Sequence, residues 1–141
     1  MNEAATVREM LEKTKTIAVV GLSDHEGRAS FGVSRFMQRQ GYRIVPVNPR
    51  ITESLGEKAY PTLEAAVAAH PQIQMVNVFR APEFVPEIVE QAIRLKLPYL
   101  WLQEGVIHEE AAARAEAAGM KVVMDQCLLK AFMAAGWHRP I

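Results

Sequence analysis

The residues best suited to chemistry follow the first apolar run of the chain, residues 17–20. Gly21 allows a tight backbone turn there, and Ser23 and Ser30 offer hydroxyl groups ahead of an amphipathic segment. Arg28 adds a positive charge, and the start of a helix supplies free N–H groups. This combination predicts a site for a phosphate or diphosphate. The alternative is a plain strand–helix connection in which Ser30 is the helix N-cap.

This loop does not match the usual nucleotide-binding patterns. Ser23 and Glu26 stand where GxGxxG requires other residues, and the P-loop pattern is absent. Pro46 lies in the second apolar run, and Asn48 directly follows it, where an NAD site favours Asp or Glu to hold the ribose hydroxyls. A neutral Asn48 therefore disfavours NAD. Arg50, just beyond, is either a second phosphate contact or an exposed charge.

Phe79 and Arg80 follow the third apolar run. Phe79 could lie against an adenine ring or cover the core. Arg80 could neutralise a phosphate or pair with Glu83. Both alternatives stay open for each residue, because the sequence does not say which groups face the ligand.

The residues after the fourth and fifth runs are weaker candidates for catalysis. Gln103 and Glu104 could contact a carbonyl or an amine, or could be solvated. Cys127 follows Asp125, a candidate helix N-cap, and is either a nucleophile or a small buried residue. A nucleophile usually needs a base, and the sequence does not place His138 beside Cys127. The four histidines form no metal-ligand pattern, so no metal site is predicted.

Five short apolar runs, alternating with helical segments, must position these residues. Because the runs are apolar throughout, they predict strands that are buried on both faces, as in a parallel sheet. The predicted strands are residues 17–20, 44–47, 75–79, 99–102 and 121–124. The predicted helices are residues 4–14, 31–40, 62–69, 83–97, 108–118 and 127–135.

The spacing of the strands, about 22 to 32 residues, is that of one strand–helix–strand crossover. It predicts an α/β fold: a Rossmann-like, doubly wound, parallel five-stranded sheet with helices on both faces, in a single domain over residues 1–141. Ligands of such sheets bind beyond the carboxyl ends of the strands. Trp101 is expected in the core. Val7, Met10 and Leu11 could serve the core or a homodimer contact.

The composition excludes several classes of protein. The 141 residues are 50% hydrophobic, which is ample for one core. Sixteen Lys and Arg balance sixteen Asp and Glu, so a polybasic nucleic-acid or membrane-surface binder is not expected. One cysteine rules out an internal disulfide and favours a reducing compartment. With no apolar run that could span a membrane and no signal peptide, the expected location is the cytoplasm.

Five motifs stand at the ends of the predicted strands. They are GLS at residues 21–23, VNP at 47–49, VFR at 78–80, WLQ-x-G at 101–105 and MD-x-C at 124–127. In this combination they resemble the small stand-alone CoA-binding proteins. That family is similar to the N-terminal CoA-binding domain of the succinyl-CoA synthetase α subunit. The resemblance covers roughly residues 4–130.

The resemblance implies a domain that binds CoA rather than NAD. It implies phosphates at residues 21–32, the adenosine end at residues 47–49 and a continuing cleft at residues 79–80. Gln126 stands where family members often have Arg, so that loop is not counted as binding. Because the sequence stops at Ile141, without the synthetase domain that carries the phosphorylated histidine, no synthetase activity is carried over. The expected ligand-binding residues are Gly21, Ser23, Arg28, Ser30, Pro46, Asn48, Phe79 and Arg80.

The sequence therefore favours a protein that binds CoA or an acyl-CoA and has no evident catalytic activity. Arg28, Arg50 and Arg80 are the candidates for the diphosphate and the 3′-phosphate. Three alternatives stay open. The chain could be a thioester-processing enzyme that uses Cys127 or Glu104, an NAD(P)-type oxidoreductase, or a protein-interaction module that responds to CoA.

Overall fold

Strands and helices alternate along the chain, as the apolar runs indicate. A computed structural model describes residues 1–136 of the protein. Two short strands that the sequence pattern does not predict, β3 (Glu53–Ser54) and β4 (Glu57–Lys58), form an antiparallel hairpin. The main sheet contains β1 (Thr16–Val20), β2 (Arg43–Val47), β5 (Met75–Val78), β6 (Tyr99–Leu102) and β7 (Lys121–Val123).

The helices lie close to their predicted positions, with one difference. The segment predicted as one helix over residues 83–97 is a 3₁₀ turn, Pro82–Phe84, followed by an α-helix. Because Pro86 has no N–H to donate to the preceding turn, regular α-helical bonding begins only at Val85. The α-helices are α1 (Ala4–Lys13), α2 (Ala29–Arg39), α3 (Leu63–Ala69), α4 (Val85–Arg94), α5 (Glu109–Ala117) and α6 (Leu128–Ala134).

The five strands of the main sheet are all parallel, in the order β2-β1-β5-β6-β7. The chain first extends the sheet from β1 to β2, then crosses back so that β5 pairs with the other side of β1. The winding direction thus reverses between β1 and β5. Their carboxyl ends lie side by side, with Val20 paired to Val78. This is the place where a doubly wound sheet opens a crevice for a ligand.

Helices cover both faces of the sheet, which confirms the predicted fold class. Alternate strand residues point to opposite faces, so Ala18 and Val20 belong to one core and Ile17 and Val19 to the other. The first core is closed by α3, α4 and α5, and the second by α1, α2 and α6. No helix within residues 1–136 is long and apolar enough to cross a membrane.

The second core contains Trp101 and apolar residues of the leading helix. Trp101 is fully buried, as predicted, and its indole Nε1 donates a hydrogen bond to the Gln126 carbonyl at 2.9 Å. On α1, Met10 and Leu11 are also buried, and Val7 is partly buried and packs against the same core. The side chains of Met10 and Leu11 therefore serve the core of this chain and are not free to form a homodimer contact.

Candidate functional site

The turn after β1 lies against the turn after β5 at the point where the winding of the sheet reverses. Gly21 has φ +90°, and a β-carbon there would lie 2.7 Å from the Phe79 carbonyl oxygen and 3.1 Å from Arg80 Cδ. The Gly21 N–H donates to the Val47 carbonyl, and the Phe79 N–H donates to the Val20 carbonyl. Glycine is therefore required both for the backbone conformation and for the close approach of the two turns.

The loop after β1 is ordered by its own serine hydroxyl groups. The Ser30 hydroxyl accepts from the Ser23 N–H at 3.0 Å, and the Ser23 hydroxyl accepts from the His25 N–H at 3.0 Å. Ser30 is buried within the first turn of α2, whose N-cap is Arg28 with an extended backbone. The assignment of Ser30 as N-cap is therefore wrong, because the helix begins at Ala29, two residues earlier than that assignment requires.

Side chains that follow β2 hold this loop from the other side. Asn48 Nδ2 donates to the Leu22 carbonyl at 3.0 Å, and its Oδ1 accepts from the Arg50 N–H at 2.9 Å. Ser54, in the β3–β4 hairpin, donates its hydroxyl to the Ser23 carbonyl at 2.8 Å. Asn48 thus positions the candidate phosphate loop. Sequence reasoning missed Ser54, and nothing in the sequence signals a contact across so many residues.

Pro46, unlike the other candidate residues, lies within a strand of the main sheet. It is buried within β2, paired with Val19, and its carbonyl accepts from the Tyr60 N–H at 3.0 Å. Proline is tolerated there because β2 is an edge strand and the missing N–H removes no ladder bond. Its side chain lines neither of the clefts described next.

Two clefts open on the carboxyl side of the sheet, and Arg80 lines both of them. The Phe84 cleft, about 160 Å³, lies between the ends of β1 and β2 and the helices α3 and α4. Within it the Arg80 guanidinium lies 3.9 Å from the centre of the Phe84 ring. Sequence reasoning considered Glu83 as the partner of Arg80 and missed Phe84, four residues away. Residues lining this cleft include Val20, Val47, Pro49, Pro61, Arg80 and Phe84.

The Gln103 cleft, about 260 Å³, lies on the other side of Arg80, between the start of α2 and the turns after β5, β6 and β7. The residues lining it are Ala29, Val33, Phe79, Arg80, Gln103, Glu104, Val106 and Cys127. Phe79 is half-buried and packs against the second core. The structure therefore brings Phe79, Arg80 and the first residue of α2 together around one cavity.

Two buried side-chain amides, those of Gln103 and Asn77, form a hydrogen-bonded pair at the Gln103 cleft. Gln103 and Asn77 are 3% and 1% exposed, and Gln103 Nε2 donates to Asn77 Oδ1 at 2.8 Å. Within residues 1–136, Gln103 Oε1 has no hydrogen-bond donor and is not sealed from solvent. An acceptor therefore remains available to a ligand in this cleft. Asn77 is a polar residue inside an apolar strand, which is the signal that could have identified it from sequence.

Glu104 is exposed, as one of its two alternatives predicts, whereas the turn before Cys127 differs from expectation. The Glu104 carboxylate forms an exposed ion pair with Lys130 at 3.1 Å, and this hydrogen bond raises the pKa of the Lys130 ammonium group. Asp125 has φ +60°, and its carboxylate accepts from the Gly105 N–H at 2.8 Å. Asp125 is therefore not the N-cap of α6. That position belongs to Cys127, which is only partly buried and makes no side-chain cap.

Two further arginine side chains, Arg28 and Arg50, lie near the site. Arg28, at the start of α2, and Arg50, after β2, are exposed, and neither side chain has an ion-pair partner in the described part of the chain. No cluster of His, Cys, Asp and Glu within residues 1–136 could hold a metal ion. His138, considered as a base for Cys127, lies outside the described residues.

Comparisons with known proteins identify the family to which the chain belongs. Residues 15–133 match the family described as a CoA binding domain. The chain is 43% identical over 124 residues to the uncharacterized protein YneT of Bacillus subtilis (strain 168), an alignment that covers 88% of this chain and 90% of YneT.

Two solved structures share the fold over nearly the whole chain. A hypothetical protein from Pyrococcus horikoshii OT3 is 32% identical with a TM-score of 0.86, covering 94% of this chain and 91% of that one. The structure of cell-free ID.343 from Thermus thermophilus is 31% identical with a TM-score of 0.83, covering 94% and 98%. The chain therefore belongs to the CoA binding domain family.

Proposed function

We propose that the chain, acting as one domain over residues 1–141, binds coenzyme A or an acyl-CoA across the carboxyl ends of its strands. The observation that carries the proposal is the pair of clefts that meet at Arg80, directly beside the Gly21 turn. An elongated ligand with a charged centre and two different ends fits this arrangement. Membership of the CoA binding domain family supports that choice of ligand.

The diphosphate lies at the centre, over the start of α2. The helix has eleven residues and begins at Ala29, so its first N–H groups and the positive end of its dipole face the loop of residues 21–28. Arg28 and Arg80 carry no carboxylate partner within residues 1–136. Unpaired guanidinium groups are available for charge-assisted bonds to phosphate oxygens. Ser23 and Ser30 support the loop through their hydrogen bonds.

The adenosine end occupies the Phe84 cleft. Pro49, Pro61 and Phe84 offer apolar surface for the ring, and Glu87 and Gln91 of α4 supply polar groups for its edge. Arg50 follows Pro49 and is exposed beside this cleft, which suits contact with the 3′-phosphate. This part of the proposal predicts that a ligand without the 3′-phosphate binds less tightly.

The pantetheine arm extends into the Gln103 cleft. Val33, Val106 and Phe79 line it with apolar surface, and Gln103 Oε1, which accepts no hydrogen bond within residues 1–136, can accept one from an amide N–H. Amide groups recur along the pantetheine arm, so one buried acceptor among apolar side chains suits it. The arm then ends towards Cys127, on the far wall of the cleft.

The geometry disfavours a dinucleotide such as NAD. The Asn48 amide is directed at the Leu22 carbonyl and the Arg50 N–H, so no acidic side chain is presented to ribose hydroxyls at the end of β2. An enzyme that processes thioesters has less support than a binding protein. Glu104 is paired with Lys130, and no histidine lines the Gln103 cleft within residues 1–136.

Calorimetric titration of the ligand-stripped protein tests the proposal. CoA is expected to bind with micromolar affinity, dephospho-CoA more weakly, and NAD not at all. Equal affinities for CoA and dephospho-CoA would contradict the assignment of an arginine to the 3′-phosphate. Absence of heat with CoA, together with binding of NAD, would contradict the choice of ligand.

A further inference from the structure

Cys127 has a defined place beside the ligand cleft. The turn before it is held against the end of β6 by the Asp125–Gly105 bond, the bond from Trp101 Nε1 to the Gln126 carbonyl, and a bond from the Gln126 N–H to the Leu102 carbonyl at 3.3 Å. Cys127 therefore stands on a wall that is anchored to the sheet, and its partly exposed side chain lines the Gln103 cleft.

A second feature of the same cleft points to a ligand independently. Gln103 is 3% exposed and lines the cleft, yet its Oε1 receives no hydrogen bond within residues 1–136. An unpaired acceptor on a buried side chain that lines a cavity can be satisfied by a ligand that donates to it. The cleft thus combines a ligand-facing acceptor with a thiol.

Lys130 supplies positive charge near the thiol. It follows Cys127 by one turn of α6, where residues three apart are neighbours on the helix surface. Its pKa is raised, chiefly by the hydrogen bond to Glu104 and with a smaller contribution from Cys127. Thiols react with disulfides in their thiolate form.

We propose that Cys127 captures CoA covalently, by thiol–disulfide exchange with a CoA disulfide bound in the Gln103 cleft. This inference rests on the proposed function, because the non-covalent site delivers the ligand sulfur to Cys127. The thiolate of Cys127 attacks one sulfur of the ligand disulfide. The S–S bond of the ligand breaks as the Cys127–CoA bond forms, and the second half of the ligand leaves as a thiolate and takes up the proton that Cys127 lost. The number of disulfide bonds is unchanged, so no further oxidant is needed.

The capture makes the chain responsive to the redox state of its own ligand. Reduced CoA binds reversibly, whereas CoA disulfide leaves a bound CoA that only another thiol releases. Because Cys127 is the one cysteine in the sequence, the adduct has a single possible site.

The experiment compares the rate of adduct formation at Cys127 with that at a matched cysteine outside the cleft. Mass spectrometry follows the protein incubated with CoA disulfide or with glutathione disulfide. The control is Cys127→Ser combined with Glu3→Cys. Glu3 is likewise a helix N-cap with extended backbone and no side-chain cap, but it lies at the start of α1. Circular dichroism establishes that both proteins are folded.

Cys127 is expected to react with CoA disulfide about tenfold or more faster than the control cysteine, because binding raises the local concentration of the reagent. An S-methyl thioether of CoA, which occupies the site but cannot exchange, should slow the reaction. Equal rates at the two cysteines, or no protection by a thioether that calorimetry shows to bind, would overturn the capture and leave the proposed function standing. A thioether and a reduced CoA that both fail to bind would overturn the proposed function itself.

Discussion

The Phe79 carbonyl oxygen lies 2.7 Å from the position that a β-carbon on Gly21 would occupy. The turns after β1 and β5 therefore approach each other closely at the point where the winding of the sheet reverses. Arg80, which follows Phe79, consequently stands between the Phe84 cleft and the Gln103 cleft. The close approach of these two turns therefore requires a residue without a side chain at position 21.

Gly21→Ala is expected to lower the free energy of unfolding by about 1–3 kcal/mol, because the residue has φ +90° and its β-carbon meets a backbone oxygen. It should also weaken CoA binding by displacing Arg80. The matched control is Gly27→Ala in the same loop, where a β-carbon meets nothing within 4 Å. Urea unfolding and calorimetry on both variants check this, and equal stability of the two would contradict the role given to Gly21.

Arg80→Ala is expected to weaken CoA binding about tenfold or more, because a charge-assisted bond to a phosphate is lost. Stability should change little, since the guanidinium forms no hydrogen bond or ion pair among residues 1–136 and lies over the exposed Phe84 ring. Arg39→Ala, at the exposed far end of α2, removes the same charge away from the clefts and serves as the control. Calorimetry that gives both variants the wild-type affinity would remove Arg80 from the site.

The order of the strands and helices was predictable because neighbouring strand residues such as Ile17 and Ala18, which point to opposite faces of the sheet, are both apolar. The exact ends of elements were not. Helix α2 begins at Ala29 because Arg28 adopts an extended backbone, and no side chain signals that cap. The cost of a side chain at position 21 was not predictable either, because the approach of Phe79 depends on the pairing of β1 with β5. Gly21→Val would strain the fold, since a β-branched residue is strained at φ +90°.

The contacts that hold the site together were less predictable than the site loops. The bond from Ser54 to Ser23 depends on a hairpin of polar residues with no apolar alternation. The Asn77–Gln103 bond depends on the pairing of β5 with β6. Sequence identified the loops that face the ligand, because polar residues cluster at strand ends, but not the partners that position them.

Gln103→Met is expected to lower the free energy of unfolding by about 1–3 kcal/mol, because Asn77 Oδ1 loses its donor while it stays buried. The double variant Asn77→Leu/Gln103→Met should lose less than the sum of the two single variants, since both polar partners are then replaced. Denaturant unfolding of all four proteins measures the coupling. Strict additivity would show that the bond does not contribute to stability.

Asn48→Asp is not expected to create NAD binding, although it places an acid at the end of β2. The new carboxylate would face the Leu22 carbonyl, which now accepts from Asn48 Nδ2 at 3.0 Å, so the loop is destabilised by about 1–3 kcal/mol. Asn48→Ala, which loses the bond without adding repulsion, is the comparison. Saturation-transfer NMR that detected NAD bound to Asn48→Asp alone would contradict this reading of the loop.

The most direct test of the central claim is a crystal structure of the protein with reduced CoA. The account predicts the adenine ring in the Phe84 cleft beside Pro49, the diphosphate at the first turn of α2 within reach of Arg80, and the thiol in the Gln103 cleft near Cys127. A CoA molecule bound in the opposite direction, with its adenine beside Cys127, would contradict the assignment of the two clefts. A CoA molecule bound away from the carboxyl ends of β1 and β5 would contradict the site itself.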